Sequence, residues 1–279
     1  MLLNLHGFQI AAEMIGIGGP TVVFEAGAGM GKATWDPIWA EVASSATVFR
    51  YDRPGLGADG APLPDGSAPA PTSPRTAGDV ACHLHTLLSL AGAPGPYILV
   101  GHSFGGLVAR LFAHRYPRDV AGVVLVDSSH PEQRSRSLAA LPPFAAHEAP
   151  ALTATRQRYL APTDILPEGI DFGASLAEAG RAPRITGVPL VVVSRTVPVG
   201  EADLGLLRPG LPVDVARDLE QTWQALQRDL CTPGGHHLIA QRSGHAVHRD
   251  DPAVVVQAIR VVLSASAPGG TRPASSHRS

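Results

Sequence analysis

Cysteine is scarce in this chain. Cys82 and Cys231 are the only two, and they lie far apart in 279 residues. Two such thiols cannot build a disulfide framework and have no metal-ligand spacing, so buried free thiols are the expectation. Lysine is scarcer still: Lys32 stands alone among 22 basic residues. With 30 glycines and 26 prolines alongside, the arginine excess reads as a coding bias rather than as a function. Charge is sparse as well, at 16% of residues with a formal net charge of −2 and no long run of one sign. That excludes the electrostatic footprint of a nucleic-acid binder. No stretch has the apolar length of a membrane span. The opening MLLNLHGFQIAAEMIG lacks the basic region, sustained apolar run and cleavage site of a secretory signal. The expectation is a cytoplasmic protein, with the proviso that a removed signal leaves no trace.

Apolar residues, at 44%, suffice for a substantial core. Short β-prone pieces near 2–6 and 8–14 open the chain, and Thr21 to Glu25 reads as a buried strand running into a glycine loop. Further strands are expected at 47–51, in PYILV, in AGVVLVDSS, in VPLVVVS and in HHLIAQRSGH. Helical spacing separates them: 35–44, the stripe Val80, Leu84, Leu87, Leu88 behind Ser73-Pro74, and the stripe Leu107, Val108, Leu111, Phe112. Two more helices carry Ala216, Leu219, Trp223, Leu226 and the run AVVVQAIRVVL behind Asp251. The segment 128–187 differs, being rich in proline and alanine with no clear strand, and reads as an insertion. The tail from about 265 is expected to be disordered. Strands alternating with helices predict an α/β fold with a mostly parallel sheet covered on both faces, and sites at the carboxyl ends of its strands.

At one such end stands YILVGHSFGGLVARLFAHRYP. Gly101-His102-Ser103-Phe104-Gly105 fits G-x-S-x-G, with a strand before it and a helix after it. That motif makes a sharp turn which exposes the serine hydroxyl beside a helix N-terminus; the competing reading is a serine that merely caps the helix. A serine needs a base to attack at neutral pH. Of 12 histidines, His245 lies in RSGHAVHRDDP between the last strand and the last helix, where it can reach Ser103. His248 is its local rival. His102 neighbours the serine but is expected to point elsewhere, His83 and His85 lie on a helix, and His236 and His237 start a strand at the wrong end. A metal site built from His245 and His248 lacks a supporting carboxylate or cysteine, so no metal is expected.

The motifs EAGAG, YDRPGLG, GHSFGG and SGHAVHRDDP, in this order, resemble those of the α/β-hydrolase superfamily over residues 10 to 263. The resemblance implies an eight-stranded sheet flanked by helices, with a helical cap inserted after the sixth strand. The core is then 1–127 with 188–264, and the cap 128–187. Family enzymes usually carry the triad acid after the seventh strand. Here that strand ends in Arg195-Thr196-Val197-Pro198, and no carboxylate follows until Glu201 and Asp203. Other members place the acid directly after the sixth strand, where this chain has Asp127. Asp127 is therefore the expected acid, with Glu201 and Asp203 as alternatives. The oxyanion hole is expected from the backbone N–H of Phe104 and of Ala28, with Gly29 as the neighbouring option. Asp52 and Arg53 of YDRPGLG are expected to tie their loop to the glycine loop. Trp35 is expected to pack near the site.

These residues imply acyl transfer to Ser103 and hydrolysis of the acyl-enzyme, on a carboxylic ester ahead of a lactone, thioester or amide. A serine nucleophile argues against the aspartate-dependent epoxide hydrolases and haloalkane dehalogenases of the family. No cofactor is required. EAGAGMGK misses the phosphate-loop spacing, because Ala33 follows Lys32. The alternatives are carbon–carbon bond hydrolysis or cofactor-free chemistry on the same triad, and a ligand-binding protein that has lost catalysis. Leu138, Leu141, Phe144, Leu152, Tyr159, Leu160, Ile165, Leu166, Ile170, Phe172 and Leu176 in the insertion suggest an apolar, partly mobile pocket wall for a small, mainly apolar acyl substrate, or else a second small core. Nothing in the sequence fixes the oligomeric state.

Overall fold

Four central strands are apolar on both faces, and both faces are covered. The computed structural model describes residues 1–56, 74–161, 163–166, 168–196 and 208–267. Strands β1 (Leu2–Leu5), β2 (Phe8–Ile15), β3 (Thr21–Glu25) and β4 (Val48–Tyr51) precede β5 (Tyr97–His102) and β6 (Val120–Val126). A small hairpin, β7 (Ile165–Leu166) and β8 (Ile170–Asp171), comes before β9 (Leu190–Arg195) and β10 (His236–Ala240). The hairpin is the strand structure that the sequence of 128–187 conceals. The main sheet has eight strands in the order β1-β2-β4-β3-β5-β6-β9-β10. β2 pairs antiparallel with β1 and β4, and every later pairing in this sheet is parallel. This is the expected mostly parallel, eight-stranded sheet.

Alternation along each strand sorts its side chains to opposite faces. Val23, Leu99, Val123, Leu125 and Val192 join one core with α2 (Ala77–Leu90) and α3 (Phe104–Arg115). Val22, Phe24, Ile98, Val100, Val124, Val126, Val191 and Val193 join the other. That second core includes Ile38 and Val42 of α1 (Asp36–Ala43) and Val255, Ile259 and Val262 of a C-terminal helix, Pro252–Ser266. Between β6 and β9 run α4 (Gln133–Ala139), α5 (Pro150–Leu160), the hairpin and α6 (Phe172–Arg181). A long helix, α7 (Val213–Leu230), separates β9 from β10, and Pro252–Ser266 is α8.

Several local expectations need correction. Helix α2 starts at Ala77, with Thr76 as its cap. Thr76 Oγ1 accepts the Asp79 N–H while Asp79 reaches back to the Thr76 N–H, a reciprocal box that Pro74 cannot provide. Ser73 lies outside the described residues. Asp251 precedes α8, but its side chain makes no capping bond. α8 runs to Ser266, beyond the expected start of the tail, and residues 268–279 lie outside the described residues. The thiols of Cys82 and Cys231 are free, but half-buried rather than buried. The apolar residues of the insertion divide. Leu141 and Leu152 pack with Val215 and Leu219 of α7 in a separate small core, whereas Ile170 and Leu176 enter the main core. Phe144, Leu160 and Ile165 are exposed. They do not form one wall.

Candidate active site

Strand β5 ends at His102, and the chain turns into α3 within one residue. Ser103 makes that turn at φ 52°, ψ −118°, a strained conformation for a residue with a side chain. Its neighbours must be small. A Cβ on Gly101 would lie 2.4 Å from Gly105 O, and one on Gly105 would lie 2.2 Å from Glu25 O. Ser103 N–H donates to Val126 O at 3.1 Å, and Ser103 O accepts from Gly106 and Ser129 N–H, each at 3.0 Å. The backbone of the turn is therefore held on all sides. The Ser103 side chain makes no capping bond to α3, which removes the reading of Ser103 as a structural cap.

The next strand of the sheet delivers Asp127. It follows β6 at φ 39° and is fully buried. Its Oδ2 lies 2.6 Å from His245 Nδ1. Trp223 Nε1 donates to Oδ1 at 2.9 Å, and the Arg195 backbone N–H donates to the same oxygen at 3.3 Å. The Arg195 guanidinium also pairs with Oδ2. Burial pushes this carboxyl up, but the His245 hydrogen bond, the Arg195 charge and the Trp223 N–H together hold it below the usual carboxylate range. Arg195 is itself shared with buried Glu220 at 2.8 Å, and Arg208 pairs with Glu220 at 2.9 Å. Two carboxylates thus meet two guanidiniums, as a buried charge cluster requires. Of the three candidate acids, the structure joins Asp127 to His245. Glu201 and Asp203 lie outside the described residues.

An ionised Asp127 fixes the proton of His245 on Nδ1 and leaves Nε2 with its lone pair. The His245 side chain is 43% exposed, so the ring is open to solvent while its acid partner is not. No hydrogen bond joins His245 to the Ser103 hydroxyl; such contacts often tighten only when substrate binds. His102 does not point away from the site as expected. It is fully buried, and its Nε2 donates to His245 O at 2.9 Å, because a carbonyl acceptor requires the proton on that nitrogen. The two rings are 4.7 Å apart. Burial, then the proximity of His245 and His248, holds His102 well below the ordinary imidazole value, so it is neutral. His248, the local rival, is fully buried and turned to Thr34, whose Oγ1 is 2.7 Å from Nε2. Its ring packs 4.5 Å from that of Trp35, which is itself buried against Phe24 at 5.0 Å. Trp35 therefore packs beside the site, as expected. His236 and His237 begin β10, at the far end of the sheet.

The loop after β3 supplies further donors. Phe104 is the first residue of α3, so its N–H has no partner within the helix. Among the described residues Ala28 N–H also bonds to nothing, whereas Gly29 N–H is taken by Glu168 Oε1 at 3.0 Å. That favours Ala28 over Gly29. Arg53 donates to Ala26 O at 2.8 Å and to Gly27 O, and Asp52 Oδ1 accepts Lys32 N–H at 2.7 Å. The YDRPGLG loop therefore does tie down the glycine loop. Among the described residues no cluster of three or more His, Cys, Asp or Glu is disposed to hold a metal ion. No helix among them is long and apolar enough to cross a membrane.

The sequence left Arg195, Trp223, Glu220 and Glu168 without a role in the site. The available signal was a charged residue ending the apolar strand LVVVSR, where an acid was sought.

A family model described as "Alpha/beta hydrolase family" matches residues 22–258. Uncharacterized protein YqjL of Bacillus subtilis is 29% identical over 254 residues, covering 90% of this chain and 86% of YqjL. A thermophilic esterase from Thermogutta terrifontis aligns in structure with a TM-score of 0.58 at 20% identity, covering 95% of this chain and 98% of the esterase. Est816, described as an N-acyl homoserine lactone degrading enzyme, aligns with a TM-score of 0.57 at 17% identity, covering 94% of this chain and 99% of its own. Structural likeness at these identities establishes a shared fold.

Proposed function

The chain belongs to the alpha/beta hydrolase family, and on that premise we propose that it is a serine hydrolase that cleaves carboxylic esters, or lactones, through an acyl-enzyme. Ser103 Oγ attacks the acyl carbon while His245 Nε2 takes its proton. Asp127 holds the ring in the required tautomer and stabilises the imidazolium. The oxygen that becomes anionic accepts N–H groups from Ala28 and Phe104, already fixed before the reaction. His245 then returns the proton to the departing alcohol oxygen. In the second half a water attacks the acyl carbon with His245 again as base, and Ser103 leaves with the proton.

The observation that carries this reading is the 2.6 Å hydrogen bond from His245 to an acid seated directly after β6. The strained, uncapped Ser103 at the end of the neighbouring strand β5 supports it. One fold relative is an esterase and another degrades N-acyl homoserine lactones; an ester and a lactone offer such a serine the same acyl carbon. The proposed substrate is a small molecule with a mainly apolar acyl group. A series of p-nitrophenyl esters of increasing acyl length, with a lactone beside them, tests the proposal. Turnover is expected for at least one acyl length and is expected to fall to the uncatalysed rate in Ser103→Ala. Absence of turnover on every ester and lactone contradicts it.

A further inference from the structure

The oxyanion loop is held from outside the sheet. Glu168, in the turn between β7 and β8, is fully buried. Its Oε1 accepts Gly29 N–H at 3.0 Å, and its Oε2 accepts Arg53 Nε at 2.7 Å. Arg53 reaches the same loop through Ala26 O and Gly27 O, and pairs with Glu25 at 2.6 Å. The turn that carries Glu168 is fixed in its own right. Arg75 N–H donates to Gly169 O and Asp171 N–H donates to Arg75 O, both at 2.8 Å, and Arg75 Nη2 donates to Glu168 O at 2.9 Å. Gly55 lies against the same backbone so closely that a Cβ there would sit 3.3 Å from Glu168 Cα.

We infer that Glu168 is a positioning residue for the oxyanion loop. By occupying Gly29 N–H and Arg53 it fixes residues 26–29, so that Ala28 N–H is the donor left for the substrate oxygen. The inference rests on the reading of Ser103 as nucleophile and deepens it. A bond from a peptide N–H to a carboxylate is charge-assisted and stronger than one to a neutral acceptor. It prevents the peptide between Ala28 and Gly29 from turning, and a donor that does not reorganise is worth most in the transition state. A carboxylate so near a developing oxyanion would oppose it if uncompensated. Here Glu25 and Glu168 both pair with Arg53, and the Arg75 guanidinium lies beside them on the Glu168 backbone carbonyl, all four side chains buried. The β7–β8 turn thereby becomes part of the catalytic apparatus without touching substrate.

Glu168→Gln in the full chain keeps the size and one acceptor oxygen but removes the charge. Its kcat is expected to fall roughly 10- to 100-fold, the scale of a misplaced catalytic group, with KM little changed. Affinity for a trifluoromethyl ketone, whose adduct carries the oxyanion, is expected to fall in parallel with kcat. A folded E168Q protein with wild-type kcat and ketone affinity overturns the inference, and so does a change confined to KM. If E168Q does not fold, site-resolved amide exchange of the wild-type protein decides. Relative to intrinsic rates, Gly29 N–H is expected to be protected and Ala28 N–H not; equally fast exchange at both overturns the inference. The exchange measurement needs no substrate. Inactivity of the wild type on every ester would overturn the esterase reading, and the clamp would still be judged by exchange.

Discussion

Asp127 carries more of the site than any other side chain. One fully buried carboxylate meets an imidazole, an indole N–H, a guanidinium and a backbone N–H. Asp127→Asn keeps the shape but offers His245 Nδ1 an amide that does not enforce the tautomer. Its kcat is expected to fall on the order of 1,000- to 10,000-fold, while Glu201→Gln and Asp203→Asn stay near wild type. Steady-state turnover of one ester by the three variants checks this, and an active Asp127→Asn beside a dead Asp203→Asn reverses the assignment of the acid. The placement of Ser103 at a strand-to-helix turn and of His245 after the last strand was legible in the sequence because each sits in a short motif whose neighbours are adjacent in the chain. Asp127 was legible only through resemblance and competed with two other carboxylates. Trp223 and Arg195 were not legible in this role. Trp223 reads as one more apolar position on a helical stripe, and only the packing of α7 beside β9 turns its N–H toward Asp127. Glu168 is hidden for the same reason, since its partners Gly29 and Arg53 come from loops distant in sequence.

The element that sets the geometry is the turn from β5 into α3, and its tightness is a matter of backbone against backbone. Gly105→Ala would bring a Cβ to 2.2 Å from Glu25 O and 2.8 Å from Ala26 O, at the root of the loop after β3. Neither atom is the end of a flexible side chain, so β3 and α3 must separate. Overpacking of this kind costs about 1–3 kcal/mol. G105A is expected to lower the urea midpoint by a corresponding amount and to lower turnover further than the stability loss explains, because residues 26–28 shift with it. Wild-type turnover in a folded G105A protein would contradict this account of the loop. Strands and helices were largely legible here: β3 spans the expected Thr21–Glu25, and the helices follow their stripes. Cap residues were not. Thr76 and Asp79 satisfy each other across one turn, and that reciprocity outweighs the Ser73-Pro74 signal three residues earlier. Residues 128–187 depart from the pattern of the rest of the sequence, and their apolar residues go to three different environments that composition alone cannot separate.

At the scale of the molecule, the fold carries several imidazoles that burial holds neutral. Burial lowers His130 to about 4 and His248 to about 3, and lowers His102 well below 6.5. Their unfolded counterparts take up protons below about pH 6.5, while the folded ones stay neutral until far lower pH. Stability is therefore expected to fall from about pH 6.5 downward. Asp127, depressed when folded, adds a second loss only below about pH 4, as its folded carboxylate becomes protonated. Urea midpoints measured from pH 8 to pH 4 are expected to decline from the imidazole range onward, and a flat profile down to pH 4.5 would contradict the burial of neutral imidazoles. The same core positions the ends of β3, β5 and β6 and the loop after β10 at one edge, so the chemistry depends on the whole sheet. The most direct test is treatment of the intact protein with a fluorophosphonate, followed by mass spectrometry of its peptides. A single phosphonyl adduct is expected on Ser103, formed far more slowly in His245→Ala and Asp127→Asn. An adduct on another residue, or none on the folded wild-type protein, would contradict the role of Ser103 as nucleophile.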